Sequence, residues 1–253
     1  MVQNFRHNEI LDIARNKGKV TVDNLAQHFD VTVQTIRRDL NDLCDSGNLT
    51  RVYGGAVIAS GVKNIAYEER RALASDEKSG IAHLCAKHIP DGASLFLNIG
   101  TSTEAVAQAL LNHKNLMVIT NNMNVANILA KGSDFEVIVA GGVLRRSDGG
   151  LVGEVAADFM SQFKVDYAVV GASALDEDGD LLDFDFREVK VSQAIIRNAR
   201  KTFLVADNSK FNRSAPVKII SLTELDMFFT DILPSDKVVE LCKNSKVKIE
   251  TVQ

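Results

Sequence analysis

Apolar residues near the N-terminus recur three times at helical spacing, and this pattern predicts three short helices in succession. Ile10, Leu11, Ile13 and Ala14 mark one face of a helix over Arg6–Asn16, and Val22, Leu25, Ala26 and Phe29 mark a second over Thr21–Phe29. Val33, Ile36, Leu40 and Leu43 give a third helix the face expected to enter the core. Thr32 suits its N-cap, because a threonine hydroxyl accepts from the unpaired N–H groups of the first turn. After Gly47 the period drops to two: Leu49-Thr50-Arg51-Val52-Tyr53, then Gly54-Gly55, then Ala56-Val57, the pattern of a short hairpin. Three helices followed by a β-wing make a winged helix-turn-helix, an α+β unit over residues 1–57.

The pattern changes at Ile58. Ala59-Ser60-Gly61 and the charge run Glu68-Glu69-Arg70-Arg71 mark a linker over residues 58–75, part of it helical. From residue 76 to 253 helices alternate with short apolar strands: a helix over Asp76–Ile89, then strands over Ser94–Leu97, Leu116–Thr120, Glu136–Ala140, Asp166–Gly171 and Lys201–Ala206. Such alternation predicts an α/β domain with a mostly parallel sheet covered on both faces, whose ligands collect at the carboxyl ends of the strands.

The third helix carries the first candidate chemistry. Gln34, Thr35 and Arg38 lie opposite its apolar face with Arg37 to one side, whereas Asp39, Asp42 and Asp45 fall in its second half. Phosphate repels that acidic half, so the N-terminal turns are the ones expected in a groove. Arginine pairs with guanine and glutamine with adenine, so Gln34, Thr35 and Arg38 are the expected base readers; Arg37 and the wing's Arg51 are expected on phosphates. Placement carries this reading, because the seven basic residues of positions 1–57 are matched by seven acidic ones. A formal charge of −4 over the whole chain excludes a broad basic field for non-specific polyanion or membrane-surface binding.

The strand ends carry the second. They read Asn98-Ile99-Gly100-Thr101-Ser102-Thr103, Asn121-Asn122, Gly141-Gly142, Gly171-Ala172-Ser173 and Asp207-Asn208-Ser209-Lys210. Gly100, Thr101, Ser102 and Thr103 precede a helix over Glu104–Leu111, and N–H groups at a helix start suit an anion. The spacing matches neither a nucleoside-triphosphate loop nor a dinucleotide loop, so a small phosphorylated metabolite fits better. Asp185, Glu188 and Lys190 are candidates for its polyol hydroxyls, Lys210 for its phosphate, and Asn121, Gly141 and Gly142 for the remaining wall. A plain helix cap at Gly100–Thr103, a solvated loop at Asp185–Lys190 and an Asx turn at Asp207–Lys210 are the alternatives.

Cys44, Cys85 and Cys242 lack zinc spacing and are expected as buried, reduced thiols, and the five histidines show no ligand spacing, so neither cofactor nor metal is expected. No apolar run suits a membrane span and Met1–Glu9 lacks the apolar region of a signal peptide, so the cytoplasm is the expected compartment.

With these residues laid out, the chain resembles the DeoR family of bacterial transcription regulators over essentially its whole length. The segments Thr32–Leu40, Asn98–Thr103, Gly141-Gly142 and Asp207–Lys210 carry the likeness. Within the family, Arg6-His7-Asn8, Asn121–Asn127, Ser147–Gly150 and Asp158–Phe163 are most similar to regulators of glycerol 3-phosphate use. The resemblance implies a repressor of a carbon-catabolism operon, a homodimer or homotetramer, released from operator DNA by a phosphorylated metabolite, here glycerol 3-phosphate. An activator would share these residues. The effector domain also resembles the ribose-5-phosphate isomerase fold, which raises the alternative of an enzyme. Those isomerases carry Gly-Ala-Asp-Glu where this chain has Gly171-Ala172-Ser173-Ala174, and Asp185-Phe186-Arg187 replaces the expected glycine-rich stretch, so binding without turnover is the expectation, with Glu188 as the one retained candidate base.

Overall fold

The computed structural model describes residues 2–17, 19–46, 48–52, 54–58, 67–132, 134–211 and 213–252. Gly47, Tyr53 and residues 59–66, the last being part of the expected linker, lie outside the described residues. The chain opens with α1 (Val2–Lys17), β1 (Lys19–Thr21), α2 (Val22–Phe29), α3 (Val33–Asp45), β2 (Leu49–Val52) and β3 (Gly55–Ile58). β3 lies between β1 and β2 and is antiparallel to both, so the wing has three strands. β1 is too short to show a sequence period. Thr21 caps α2 by accepting from Asn24 N at 3.3 Å, and Thr32 caps α3 by accepting from Thr35 N at 3.2 Å. Between the two helices Asp30 takes the left-handed conformation that aspartate tolerates, at φ 50°. Ile10, Ala14, Leu25, Ile36, Leu40, Leu43 and Leu49 then close one small core.

Two expectations for α3 change. Val33 is 37% exposed, at the first residue of the helix, and does not join the core. Asp39 is not a solvent-facing acid but is buried, with both oxygens bound by Arg6 (2.5 and 3.0 Å) and one also by His7 at 3.2 Å. Burial pushes its carboxyl up, but the bonds from Arg6 and His7 outweigh this and hold it below its ordinary value. The pair ties α1 to the recognition helix.

After residues 59–66 come α4 (Tyr67–Ala72), α5 (Ser75–Ala86), β4 (Ser94–Leu97), α6 (Thr101–Ala109), β5 (Leu116–Thr120), α7 (Met123–Leu129), β6 (Phe135–Val139), β7 (Val143–Arg145), β8 (Gly150–Val152) and α8 (Glu154–Met160). The chain continues through β9 (Val165–Val170), β10 (Ala174–Leu175), β11 (Asp180–Asp183), α9 (Phe186–Arg197), β12 (Ala199–Val205), β13 (Val217–Ser221), β14 (Met227–Thr230), α10 (Asp236–Ser245) and β15 (Lys248–Thr251).

Seven strands form one parallel sheet in the order β15-β14-β12-β9-β4-β5-β6. Alternate residues enter opposite faces. Leu95, Leu97, Phe203 and Phe229 pack against α5, α6 and α7, while Phe96, Leu204 and Phe228 pack against α8, α9 and α10. Burial on both faces explains the continuous apolar runs of these strands. The last two parallel strands, the β7–β8 hairpin and the small sheet β10-β11-β13 extend beyond the elements expected from sequence. Cys85 and Cys242 are buried free thiols, while Cys44 is only partly buried, a departure from expectation.

From β4 the chain steps through β5 to β6, then returns on the other side through β9 to β12, β14 and β15. The order therefore reverses between β4 and β9. In an open α/β sheet the loops diverge at that point and leave a crevice at the carboxyl ends.

Candidate functional site

That crevice is present. A narrow cleft is lined by Arg70, Ile99, Gly100, Thr101, Ser102, Gly171, Ala172, Ser173, Asp183, Glu188 and Lys210, which brings the loops after β4 and β9 together with the β12 turn and α9. Gly100 opens α6 at φ 149°, a conformation that glycine adopts freely. Glu104 N makes the first helical bond, to Gly100 O at 3.0 Å, so the N–H groups of Thr101, Ser102 and Thr103 precede the ladder. The helix dipole adds partial positive charge there.

Lys210 supplies the full charge. Asp207 shapes its turn by accepting from Ser209 N at 3.0 Å, the Asx turn given above as the alternative reading, and this same turn carries the lysine into the cleft. Lys210 is only 5% exposed, and its ammonium makes no hydrogen bond to a described residue. Burial lowers its pKa to about 8 against the pull of Asp207, and Arg213, Lys78 and Arg70 lower it further. Nearby Asp207 Oδ2, Ser209 Oγ, Arg70 Nε and Arg213 Nη1 are buried without a partner. Unsatisfied groups this dense are rare in a finished interior and mark a place shaped for something else.

The opposite wall is carboxylic. Asp183 accepts from Ser173 Oγ at 2.8 Å and from Phe184 N at 2.6 Å. Burial and the neighbouring Asp183 push Glu188 up to about 8, against the pull of Arg145. Arg145 Nη2 lies 2.5 Å from Glu188 Oε2, which leaves the second carboxyl oxygen for the cleft that Glu188 lines, where a ligand hydroxyl can be held in either protonation state. Arg145 braces this wall from behind, donating to Glu188, to Asp148 at 2.7 and 2.8 Å and to Asp185 at 3.2 Å.

The fold thus brings together Gly100, Thr101, Ser102, Glu188 and Lys210 from the residues chosen on sequence. Six others stand elsewhere. Thr103 spends its hydroxyl on Asn98 O (2.7 Å) and Gly100 O (2.8 Å), stapling the loop. Asn121 donates to Leu151 O at 3.1 Å and fastens β8 to the end of β5. Gly141 and Gly142 join β6 to β7, where a Cβ on Gly142 would crowd Ala156 and the Val152 carbonyl at 3.2 Å. Asp185 caps α9 and pairs with Arg145 and Arg187, so its oxygens are taken. Lys190 lies two residues beyond Glu188 on α9, half a turn round, where it meets Glu154 at 2.9 Å in solvent.

Of the residues expected to meet DNA, Gln34, Arg37, Arg38 and Arg51 are exposed, as is neighbouring Asn41. Thr35 is half-buried, with its hydroxyl 2.9 Å from that of Thr32. Val33, expected in the core, joins the exposed strip.

A family profile described as the DeoR-like helix-turn-helix domain matches residues 6–62, and one described as the DeoR C terminal sensor domain matches residues 73–232. The chain belongs to the DeoR family. Among relatives of this DeoR-family chain, the glycerol-3-phosphate regulon repressor of Escherichia coli (strain K12) is 45% identical over 250 residues, covering 99% of both chains. The protein of the same name from Haemophilus influenzae is 44% identical over 98% of this chain and 97% of its own. The HTH-type transcriptional repressor CsqR of Escherichia coli (strain K12) is 41% identical over 97% and 94%. These full-length relatives are repressors rather than enzymes. Among solved structures, ribose 5-phosphate isomerase A of Methanocaldococcus jannaschii superposes over 55% of each chain with a TM-score of 0.41 at 16% identity, a likeness too weak to bear on activity.

Sequence reading missed Arg70, Tyr67 and Arg145. Arg70 and Tyr67 sit on α4, inside the stretch expected as linker. Tyr67 donates to Glu104 at 2.8 Å and accepts from Asn124 at 3.0 Å, and burial with the Glu104 bond raises its hydroxyl to about 12. The cue was present in Tyr67-Glu68-Glu69-Arg70, a helical turn with one aromatic among charges. Among the described residues no helix is long and apolar enough to cross a membrane.

Proposed function

We propose that this chain represses an operon for glycerol or related three-carbon catabolism and leaves its operator when glycerol 3-phosphate fills the cleft. One observation carries the reading: a buried lysine whose ammonium makes no hydrogen bond to a described residue shares the sheet's reversal point with the start of α6, in a chain that also bears a capped recognition helix. The phosphate sits on the α6 N-terminus and Lys210, and Asp183 and Glu188 take the glycerol hydroxyls. The names of the full-length relatives supply the metabolite.

On DNA, Gln34 and Arg38 read base edges with Thr35 beside them, and Val33 meets a thymine methyl. Arg37 and Arg51 hold phosphates. A homodimer or homotetramer places two such helices about one helical turn apart, or a multiple of it, and works in the cytoplasm. The linker around residues 58–75 is the hinge between the two units.

A thermal-shift panel with glycerol 3-phosphate, fructose phosphates and deoxyribose 5-phosphate tests the ligand. Ligand at a hundredfold its Kd stabilises by about 2.7 kcal/mol, a shift of several degrees. Glycerol 3-phosphate is expected to give the largest shift, and Lys210→Ala to abolish it. No shift with any of the panel, or sustained turnover of a pentose phosphate, would overturn the reading.

A further inference from the structure

α4 is the described segment nearest in sequence to the wing, and it reaches the cleft through one residue. Arg70 lines the cleft beside Ser102 and Lys210, yet its Nη2 bonds to Asp148 at 3.1 Å while its Nε is buried without a partner. The rest of α4 is moored to the sensor core. Tyr67 bonds to Glu104, and Lys78 Nζ holds the carbonyls of Arg70 and Leu73. Asp148 has a second, bidentate partner in Arg145, so it keeps its charge balanced if Arg70 departs.

We propose that Arg70 is an effector ligand and the residue through which a bound anion acts on the DNA-binding unit. Without ligand, Arg70 rests on Asp148 and α4 stays docked, the arrangement that favours operator binding. An anion on the α6 N-terminus and Lys210 offers the guanidinium two oxygens, a better match than the carboxylate already committed to Arg145. Arg70 turns to it and α4, the described element that follows the DNA-binding unit in the chain, shifts on its moorings. The ligand then prefers one of two α4 positions, which is the differential affinity any such switch requires. This inference rests on the cleft being the effector site.

The test measures operator Kd by fluorescence anisotropy with and without saturating glycerol 3-phosphate, in the full chain. In the wild type the ratio of the two is expected at about 5- to 150-fold. Arg70→Gln is expected to weaken glycerol 3-phosphate and inorganic phosphate about tenfold or more by calorimetry, since it removes a charged donor. At raised ligand concentration its operator ratio is expected to fall towards one. A wild-type ratio in Arg70→Gln would overturn the inference while leaving the cleft as effector site; a ratio of one in the wild type would instead remove that underlying reading. If Arg70→Gln does not fold or binds no ligand, Tyr67→Phe decides, because Tyr67 is a mooring outside the cleft lining. It is expected to weaken operator binding without ligand and, by reciprocity, to tighten ligand binding by a similar factor. No change in either would overturn the inference.

Discussion

Replacing Lys210 by methionine keeps the length and apolar character of the side chain and deletes its charge. In the empty cleft the ammonium is disfavoured: a pKa of about 8 in place of 10.5 corresponds to about 3 kcal/mol of cost to the fold. The sign follows from the depression: the cost is fully present below pH about 8 and is relieved as pH rises towards the ordinary lysine value. A bound phosphate dianion supplies the hydrogen-bonding anion that Asp207, which acts on Lys210 by charge alone, does not. Removing one member of a buried charge pair costs about 2–4 kcal/mol, so Lys210→Met is expected to weaken glycerol 3-phosphate about 30- to 1000-fold. Because binding requires the protonated lysine, wild-type affinity is expected to fall about tenfold per pH unit above pH about 8. Below pH about 6 the ligand itself takes up a proton, so affinity should peak between the two. Burial raises the Glu188 carboxyl into the same range, and its ionisation also repels an anion; the alkaline fall should therefore persist in Glu188→Gln, become shallower in Lys210→Met and vanish only in the double variant. Isothermal calorimetry across this range reads both effects. Affinity in Lys210→Met within threefold of wild type, or a wild-type profile flat through the alkaline range, would refute the placement of phosphate on Lys210.

Other expectations concern the N-terminal unit. Arg38→Ala should relax sequence preference at one base position by about 1–3 kcal/mol, whereas Arg51→Ala should weaken all duplexes alike and lower the salt slope by about one; equal effects in anisotropy titrations would contradict the assignment. Asp39→Ala strands Arg6 and His7 and should destabilise the unit by about 2–3 kcal/mol in urea melts, less than the deep-interior value because Arg6 is 16% exposed. Since the folded pKa of Asp39 is depressed, its contribution is present above the ordinary carboxylate value and lost as pH falls below it, so the difference between wild type and variant should shrink in acid. Gly55→Ala would place a Cβ 1.8 Å from the Val20 carbonyl oxygen, so β1 must leave β3, and operator binding should drop with the melting temperature of the unit.

Regular patterns made the layers legible and tertiary crossings did not. The helical period and the Thr32 cap located the recognition helix, and apolar runs between glycine-rich ends located the strands whose loops meet at the cleft. Period alone could not say that Val33 stays outside the core, nor that Asp39 faces inward to Arg6, 33 residues away. Lys190 was grouped with Glu188 because they are close in sequence, yet two residues along a helix separate side chains by about 200°. Asp185 looked available until Arg145 arrived from the β7–β8 hairpin. Arg70 was hidden for the opposite reason: a short charged helix has no long apolar period, and only its docking gives Tyr67 a partner on α6 and Arg70 one in the β7–β8 turn.

The central claim is that occupancy of the cleft governs the grip on DNA. Its most direct measurement is anisotropy of a labelled duplex from upstream of the genes beside this chain's own, titrated with the protein at fixed salt with and without glycerol 3-phosphate. Tight binding without the metabolite and a rise in Kd of about 5- to 150-fold with it is the expected result. The same Kd in both titrations, or no preference over an unrelated duplex, would contradict the account.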